Sequence, residues 1–413
     1  VNIDRITRDV ALGRIRHHIA DCPPSTQDLP LFEAQGLVCA QDISAAHASP
    51  DTPRSAVDGY AIASAATRDA SPEHPARFTT AGLIRPSTAI PDAIGPGMAA
   101  PILTGGQLPP GADCVIPNEE VAFSGKTVAI NREASVAEHV RPPGADINSG
   151  TRIVRHGEEL TPAILAALAV SGATKVTVFK GPRVLVLALG NELSPLEAPA
   201  EPGRLHADNL LLAGGLLRAR GVADLRAEVC TNEVDAIADK LHQADARCIV
   251  TTGGTGPGAR DFILGAALKA GFTPLYTGLA LTPGKSSFAA LRGDTLLFAL
   301  PGTPWAVFTL MHAMVLPAMC WLRGRTLPVP SPILARPQSL PHSAPLGWER
   351  LVPCTNTALG AELLAHPLVD RTRESRLDML QAQGLLIVSD KAEQDELLPM
   401  IPIWENLRGL RLG

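Results

Sequence analysis

Residues 247–261 read RCIVTTGGTGPGARD, and the fold turns on how that stretch divides. RCIVTT (247–252) is an apolar, β-branched run of the kind that forms a buried strand. Glycines follow at its carboxyl end, and ARDFILGAALKAGF (259–272) resumes with helical spacing. A strand, a glycine-rich loop and a helix start make a βα unit, and open parallel sheets bind ligands outside the carboxyl ends of their strands. Such a loop exposes backbone N–H groups beside a positive helix end, which suits an anion. The same letters also fit a tight βα turn without a ligand, and the loop by itself does not separate the two readings.

Outward from that loop the pattern alternates. Over 181–325 the chain reads PRVLVLAL (182–189) as a strand, ADNLLLAGGLLRARG (207–221) as a helix, ADLRAEV (223–229) as a strand and NEVDAIADKLHQA (232–244) as a helix, before RCIVTT and its own helix. Repeated βα units predict a parallel sheet. Residues 1–45 open with an amphipathic helix whose broad face carries Ile3, Ile6, Val10, Leu12 and Ile15, ending near DCPPST (21–26). From 46 to 140 the chain is rich in Pro, Gly, Ala and Thr, with short apolar runs such as ARFTTAGLI (76–84) and KTVAI (126–130), which predicts a small β-rich domain. Residues 141–180 resemble the opening segment again, and LTPAILAALAVSGATKVTVF (160–179) predicts a helix stopped near Gly172 and then a strand.

The β-rich part therefore reads as an insertion into a helical, mixed domain made of 1–45 and 141–180. After GRTLPVP (324–330) a proline-rich linker to about 345 leads to short strands in WERLVPC (348–354), GLLIVSD (384–390) and LLPMIPIW (397–404), a C-terminal β domain over 330–413. The expected fold class is α/β plus β. It is a multidomain, elongated chain with a parallel-sheet α/β domain over 181–325, the β-rich inserted domain over 46–140 and the small C-terminal β domain.

The 413 residues are 46% hydrophobic and 19% charged, a composition that buries more than one core. A formal charge of −5 gives no general attraction to nucleic acid or anionic lipid, so small molecules or proteins are the expected partners. The seven cysteines are dispersed, with no CxxC pair and no histidines at zinc-ligand spacing, which suits a reducing compartment. Residues 1–20 are charged throughout and lack the apolar centre of a signal peptide. AVFTLMHAMVLPAMCWL (306–322) contains His312 and Pro317 and predicts a buried helix rather than a membrane anchor. A soluble, cytoplasmic protein is expected.

Candidate chemistry is scattered along the chain. In SAVDGYAI (55–62), Ser55, Asp58 and Gly59 fit an ordinary turn, since Asp-Gly favours positive φ. In TGGQLPPGADCVIPNEE (104–120), Thr104 and the glycines suit an anion, and Asp113, Glu119 and Glu120 suit a metal; a solvated proline-rich loop fits as well. LGNEL (189–193) sets Glu192 just beyond the first strand of the α/β domain, where a carboxylate meets a ligand or faces solvent. Lys285 in LTPGKSS (281–287) lies on a Pro-Gly turn, where it suits a phosphate as a mobile point charge or water alone. ALPGTP (299–304) brings Pro301 and Pro304 to the end of another strand. No Ser-His-Asp order, HExxH or Walker motif stands out, which leaves a hydrolase or nucleoside triphosphatase without support.

Taken in order, these pieces resemble the MoeA family of molybdopterin molybdenumtransferases, which includes the gephyrin E domain. SAVDGYA, TGGQLPPGAD, RPPGADINSGT (141–151) with HGEELTP (156–162), RVLVLALGNEL (183–193), GGTGPGARDF (253–262), PGK and LPGTP follow the family's order and approximate spacing over nearly the whole chain. The resemblance implies insertion of molybdenum from molybdate into adenylylated molybdopterin with release of AMP, Mg2+ as the divalent cofactor, and an elongated homodimer. It implies that Gly253, Gly254, Gly256, Gly258 and Lys285 supply the N–H groups and cation for the pterin phosphate, that Thr255, Pro301 and Pro304 also bind the cofactor, and that Asp261 reads the pterin. Asp58, Thr104 and Glu192 would be catalytic, with Asp58, Asp146 and Glu192 as metal ligands. Asp58 and Thr104 would enter the site from the partner subunit. Other molybdenum cofactor biosynthesis proteins or apo-molybdoenzymes are the further partners implied, with no nucleic acid and no membrane. The chemistry agrees with the residue types: a phosphate takes N–H groups and cations, a pterin takes carboxylates for its N–H groups, and magnesium takes acidic oxygens.

The chain departs from the family's pattern in the α/β domain. Gly190, Asn191 and Glu192 stand where the family has Gly-Asp-Glu, and GGTGPG stands for GGVSVG. Thr282 replaces a lysine, Ser286 a proline, Thr303 an asparagine and Asn232 an acid, while Ala207, Asp208 and Asn209 stand for Asp-Ser-Asn. The alternative to the transferase is a divergent relative that binds or carries the finished cofactor, or a dimeric scaffold.

Overall fold

The computed structural model describes residues 5–403, apart from 87, 88, 90, 197, 198, 200, 201, 257–261, 328–330, 340–343, 361, 369–375 and 394. Its central sheet has six strands in the order Leu225–Cys230, Val184–Leu189, Cys248–Thr252, Thr295–Leu300, Phe288–Arg292 and Thr273–Tyr276. The first four pair in parallel, and Phe288–Arg292 runs antiparallel to both its neighbours.

Val184–Leu189 is buried at every position, and its side chains alternate between two cores. Val184, Val186 and Ala188 join one apolar cluster, and Leu185, Leu187 and Leu189 join the other. That is the expected state of a parallel strand covered on both faces. Helices Asp208–Ala219 and Pro304–Leu322 cover the first face, and Val234–Gln243 and Phe262–Lys269 cover the second. The chain leaves Val184–Leu189 over one face and returns to Cys248–Thr252 over the other, so these two neighbours flank a topological switch point, where a crevice opens at the carboxyl ends. The apolar stretch 306–322 lies in the helix Pro304–Leu322, which is 94% buried inside the fold.

Three short antiparallel ribbons precede this sheet. Thr26–Pro30 pairs with Lys175–Phe179, Ile43–Ser44 with Arg152–Val154, and Arg54–Ser55 with Val140–Arg141. The outgoing and returning chain thus run side by side, and the residues between them form their own sheet. It has six strands, in the order Cys114–Pro117, Gly59–Ile62, Met98–Ile102, Ala76–Thr80, Thr127–Ile130 and Val121–Ser124. In the returning chain, Thr161 caps helix Pro162–Val170 by accepting from the Ile164 N–H at 3.3 Å.

The C-terminal strands close on themselves. Glu349–Leu359, Glu362–Pro367, Ile333–Pro337, Leu398–Pro402 and Gly384–Ser389 pair in turn, and the last pairs back to the first. Closure removes the exposed edges of a small sheet. The linker expected up to residue 345 therefore contains a barrel strand, Ile333–Pro337. Pro337, at the end of that strand, and the neighbouring prolines masked its short apolar run.

The first helix, Arg8–Asp21, also differs from its expected form. Its buried stripe is Ala11, Ile15 and Ile19, while Val10 is 47% exposed. Ile6 precedes the helix and bridges to Leu279. The stripe packs into the α/β core beside Leu316 and Met319 rather than with residues 141–180. Small Ala11 lets the helix approach closely, a role that counting large apolar residues overlooks.

Candidate functional site

The crevice at the switch point is a cavity of about 760 Å³. Glu192, Gly253, Gly254, Thr255, Gly256, Pro301 and Pro304 all line it, so the sequence motifs of the α/β unit converge there. Gly258 and Asp261 lie outside the described residues. Lys285 is exposed and is not part of the lining; its neighbour Ser286 is.

The glycine loop is held by its backbone. The Gly253 N–H donates to Leu300 O at 2.9 Å, which seats the loop at the end of the adjacent strand. Gly253 and Gly254 have φ of +97° and +73°, a region that only glycine enters at little cost. A Cβ on Gly253 would lie 2.7 Å from Leu189 O, and one on Gly254 would lie 2.5 Å from the Phe262 ring. Thr255 Oγ1 and Ser286 Oγ are 3.3 Å apart and tie the loop to the Pro-Gly-Lys turn. Among the described residues, the N–H groups of Gly254, Thr255 and Gly256 donate to no protein acceptor. The arrangement is a concave set of backbone donors, which suits an anion.

The opposite wall carries polar side chains. Asn209 Nδ2 donates to Gly302 O at 2.9 Å, and the Asn232 N–H donates to Asn191 Oδ1 at 3.0 Å. The second contact joins the loops that follow Val184–Leu189 and Leu225–Cys230. Its acceptor, Asn191, is a neutral amide where the family pattern has an acid, while Asn232 contributes only its backbone N–H, so the join carries no charge. Arg376, from the C-terminal unit, reaches the same cavity and pairs with Asp208. The motif reading missed Arg376: it follows no glycine turn and lies far in sequence from its partner. Asn209 stood out only as part of a departure from the family, although its place in the first turn of a helix after a strand was a usable signal.

The remaining candidates gather elsewhere. The Thr104 N–H and hydroxyl both donate to Asp58 Oδ1, at 2.6 and 2.7 Å. Asp146 pairs with Arg141 at 2.7 Å. Thr104, Arg141 and Asp146 line a second cavity of about 750 Å³ between the ribbons and the inserted sheet, together with His47, Asp51 and Arg54. The two cavities share no lining residue. The magnesium set Asp58, Asp146 and Glu192 is therefore not assembled within one chain, and among the described residues no cluster of three or more His, Cys, Asp or Glu is placed to hold a metal.

The donors from Thr104, first the N–H and then the hydroxyl, hold the Asp58 carboxyl below its ordinary 3.8. A group depressed in this way contributes stability above its unfolded pKa and loses it as pH falls through the folded value. An NMR titration is expected to place Asp58 below 3.8, and Thr104→Val to move it upward by deleting one donor. An Asp58 titration unchanged in Thr104→Val would show that the hydroxyl does not hold it.

Fold and crevice together define a multidomain α/β protein whose switch-point cavity suits an anionic small molecule. Residues 6–172 match the MoeA N-terminal region (domain I and II), and residues 185–320 match the probable molybdopterin binding domain. Molybdopterin molybdenumtransferase 2 of Mycobacterium tuberculosis (strain H37Rv) is 30% identical over 311 residues, covering 73% of this chain and 76% of that protein. The molybdopterin molybdenumtransferase of Bacillus subtilis (strain 168) is 30% identical over 327 residues, covering 77% and 75%. The structure of the molybdopterin biosynthesis MoeA protein of Pyrococcus horikoshii shares the fold, with a TM-score of 0.77 at 22% identity over 97% of this chain and 100% of that one. The chain belongs to the MoeA family.

Proposed function

We propose that this protein is a molybdopterin molybdenumtransferase, inserting molybdenum from molybdate into adenylylated molybdopterin with release of AMP. The observation that carries this reading is the glycine backbone of the switch-point cavity, whose N–H groups suit a phosphate-bearing pterin. Family membership supplies the reaction class, and the curated relatives named for it favour the enzyme over a carrier or scaffold. In this reading the chain's work is positioning and charge placement, without a covalent enzyme intermediate. Backbone donors of Gly254, Thr255 and Gly256 orient the phosphate, and Glu192 faces the same cavity as an acceptor.

Asp58, Thr104 and Asp146 belong to the same site only if a second chain presents them. We therefore take the working unit to be a homodimer, with one chain's switch-point cavity facing the other chain's Asp58 end. The magnesium ion implied by the family would then draw on carboxylates of both chains. The reading also includes a soluble cytoplasmic protein, in keeping with burial of its most apolar helix, and transfer of the product to apo-molybdoenzymes or other cofactor-synthesis proteins.

The test is direct. Purified protein with adenylylated molybdopterin, magnesium and molybdate is expected to release AMP, and omission of molybdate or chelation of magnesium to stop it. Tight binding of the finished cofactor without AMP release would make the chain a carrier instead.

A further inference from the structure

The cavity that this reading fills with a phosphate-bearing ligand has a single permanent cation in its described lining, and that cation comes from outside the α/β unit. Arg376 is the sole arginine or lysine among the described lining residues. Lys285 is exposed and is not among the described lining residues, and position 282 is a threonine. Arg376 opens the helix Arg376–Gln381 in the C-terminal unit, beyond both segments that match the family. The helix packs against the start of the Pro304–Leu322 helix, whose Pro304 lines the same cavity, so the origin of the arginine is fixed relative to the site.

We propose that Arg376 is an anion-binding residue of this cavity, kept in place by Asp208 until a ligand phosphate takes over the guanidinium. The inference rests on the functional reading above, which supplies the phosphate. Arg376 Nε and Nη2 lie 2.7 and 2.5 Å from the same oxygen, Asp208 Oδ2. Two donors on one oxygen leave unused the side-by-side geometry in which guanidinium binds best, which a phosphate provides with two oxygens and more charge. The two side chains are 65% and 40% exposed, so the pair adds little to stability and its exchange for another anion meets little resistance. Asp208 is also in the first turn of helix Asp208–Ala219, where the helix end favours its charge with or without Arg376.

Calorimetric titration with AMP, a stable fragment of the substrate, tests the handover. Arg376→Gln is expected to weaken AMP binding about tenfold, the scale of one lost charge-assisted hydrogen-bonding group. Asp208→Asn keeps the shape but removes the competing charge, and is expected to tighten binding about threefold, with the gain shrinking when Arg376→Gln is also present. Melting temperatures are expected to stay close to that of the parent in both variants. Parental affinity in Arg376→Gln, weaker binding in Asp208→Asn, or an equal gain from Asp208→Asn in both backgrounds would overturn the role given to Arg376. Failure of the unaltered chain to bind AMP would remove the functional reading as well, whereas binding that neither variant changes would remove this inference alone.

Discussion

Replacing Gly254 by valine is expected to lower AMP release at least about 100-fold, equivalent to about 2.7 kcal/mol of lost transition-state stabilisation. Two causes act together. The position has φ of +73°, where a β-branched residue is a strong outlier. The new Cβ would also lie 2.5 Å from the Phe262 ring, which belongs to the helix behind the loop. Relief of either strain swings the loop and takes the N–H groups of Gly254, Thr255 and Gly256 away from the cavity. The sheet beneath is not touched, so far-UV circular dichroism is expected to match the parent. Adding Phe262→Ala removes the ring contact but leaves the backbone strain of about 1–2 kcal/mol, so the double variant is expected to regain only part of the activity. Parental AMP release in Gly254→Val would mean that the loop is only a βα turn and the ligand binds elsewhere.

The α/β unit was legible because its central strands are mostly apolar or β-branched and the period changes to a helical one at the glycine or polar breaks. Val184–Leu189 and Cys248–Thr252 are buried on both faces, as their composition requires. The first helix was legible as a helix but not in its rotation. Its buried stripe begins with Ala11, and an alanine has no weight in a count of large side chains. Ile333–Pro337 was hidden because proline marks a strand as unlikely to pair on both sides, and nothing local shows that a barrel will close around it.

Site residues divide in the same way. Glu192 and the glycines follow strand ends, so topology alone brings them to one crevice. Lys285 follows a Pro-Gly turn whose exit direction is set by packing, and it is exposed and outside the cavity lining while its neighbour Ser286 is part of it. Arg376 and Asp208 are separated by 168 residues, a contact that no local pattern encodes. The carboxylates Asp58, Asp146 and Glu192 share a family motif order, but order along a chain carries no information about which cavity, or which copy of the chain, each one serves.

That division sets up the second large effect, which needs two inactive proteins. Asp58→Asn is expected to bind the pterin ligand nearly as the parent does while losing AMP release, because it removes a charge at the Thr104 end and leaves the glycine loop intact. Gly254→Val is expected to lose the ligand while leaving Asp58 and Thr104 in place. If each site takes its cavity from one chain and Asp58 from the other, a mixed dimer contains one site damaged twice and one site with both parts intact. Random exchange in an equal mixture makes about half of the dimers mixed, so about a quarter of all sites regain function in a closed two-fold dimer. Unfolding and refolding the two variants together is therefore expected to restore about a quarter of the parental AMP release, while each refolded alone stays inactive. Mixing the folded variants without exchange is the control and is expected to restore nothing. Absence of recovery, in a preparation that light scattering shows to be dimeric, would place the whole site within one chain and require Asp58 to act at some distance from the crevice.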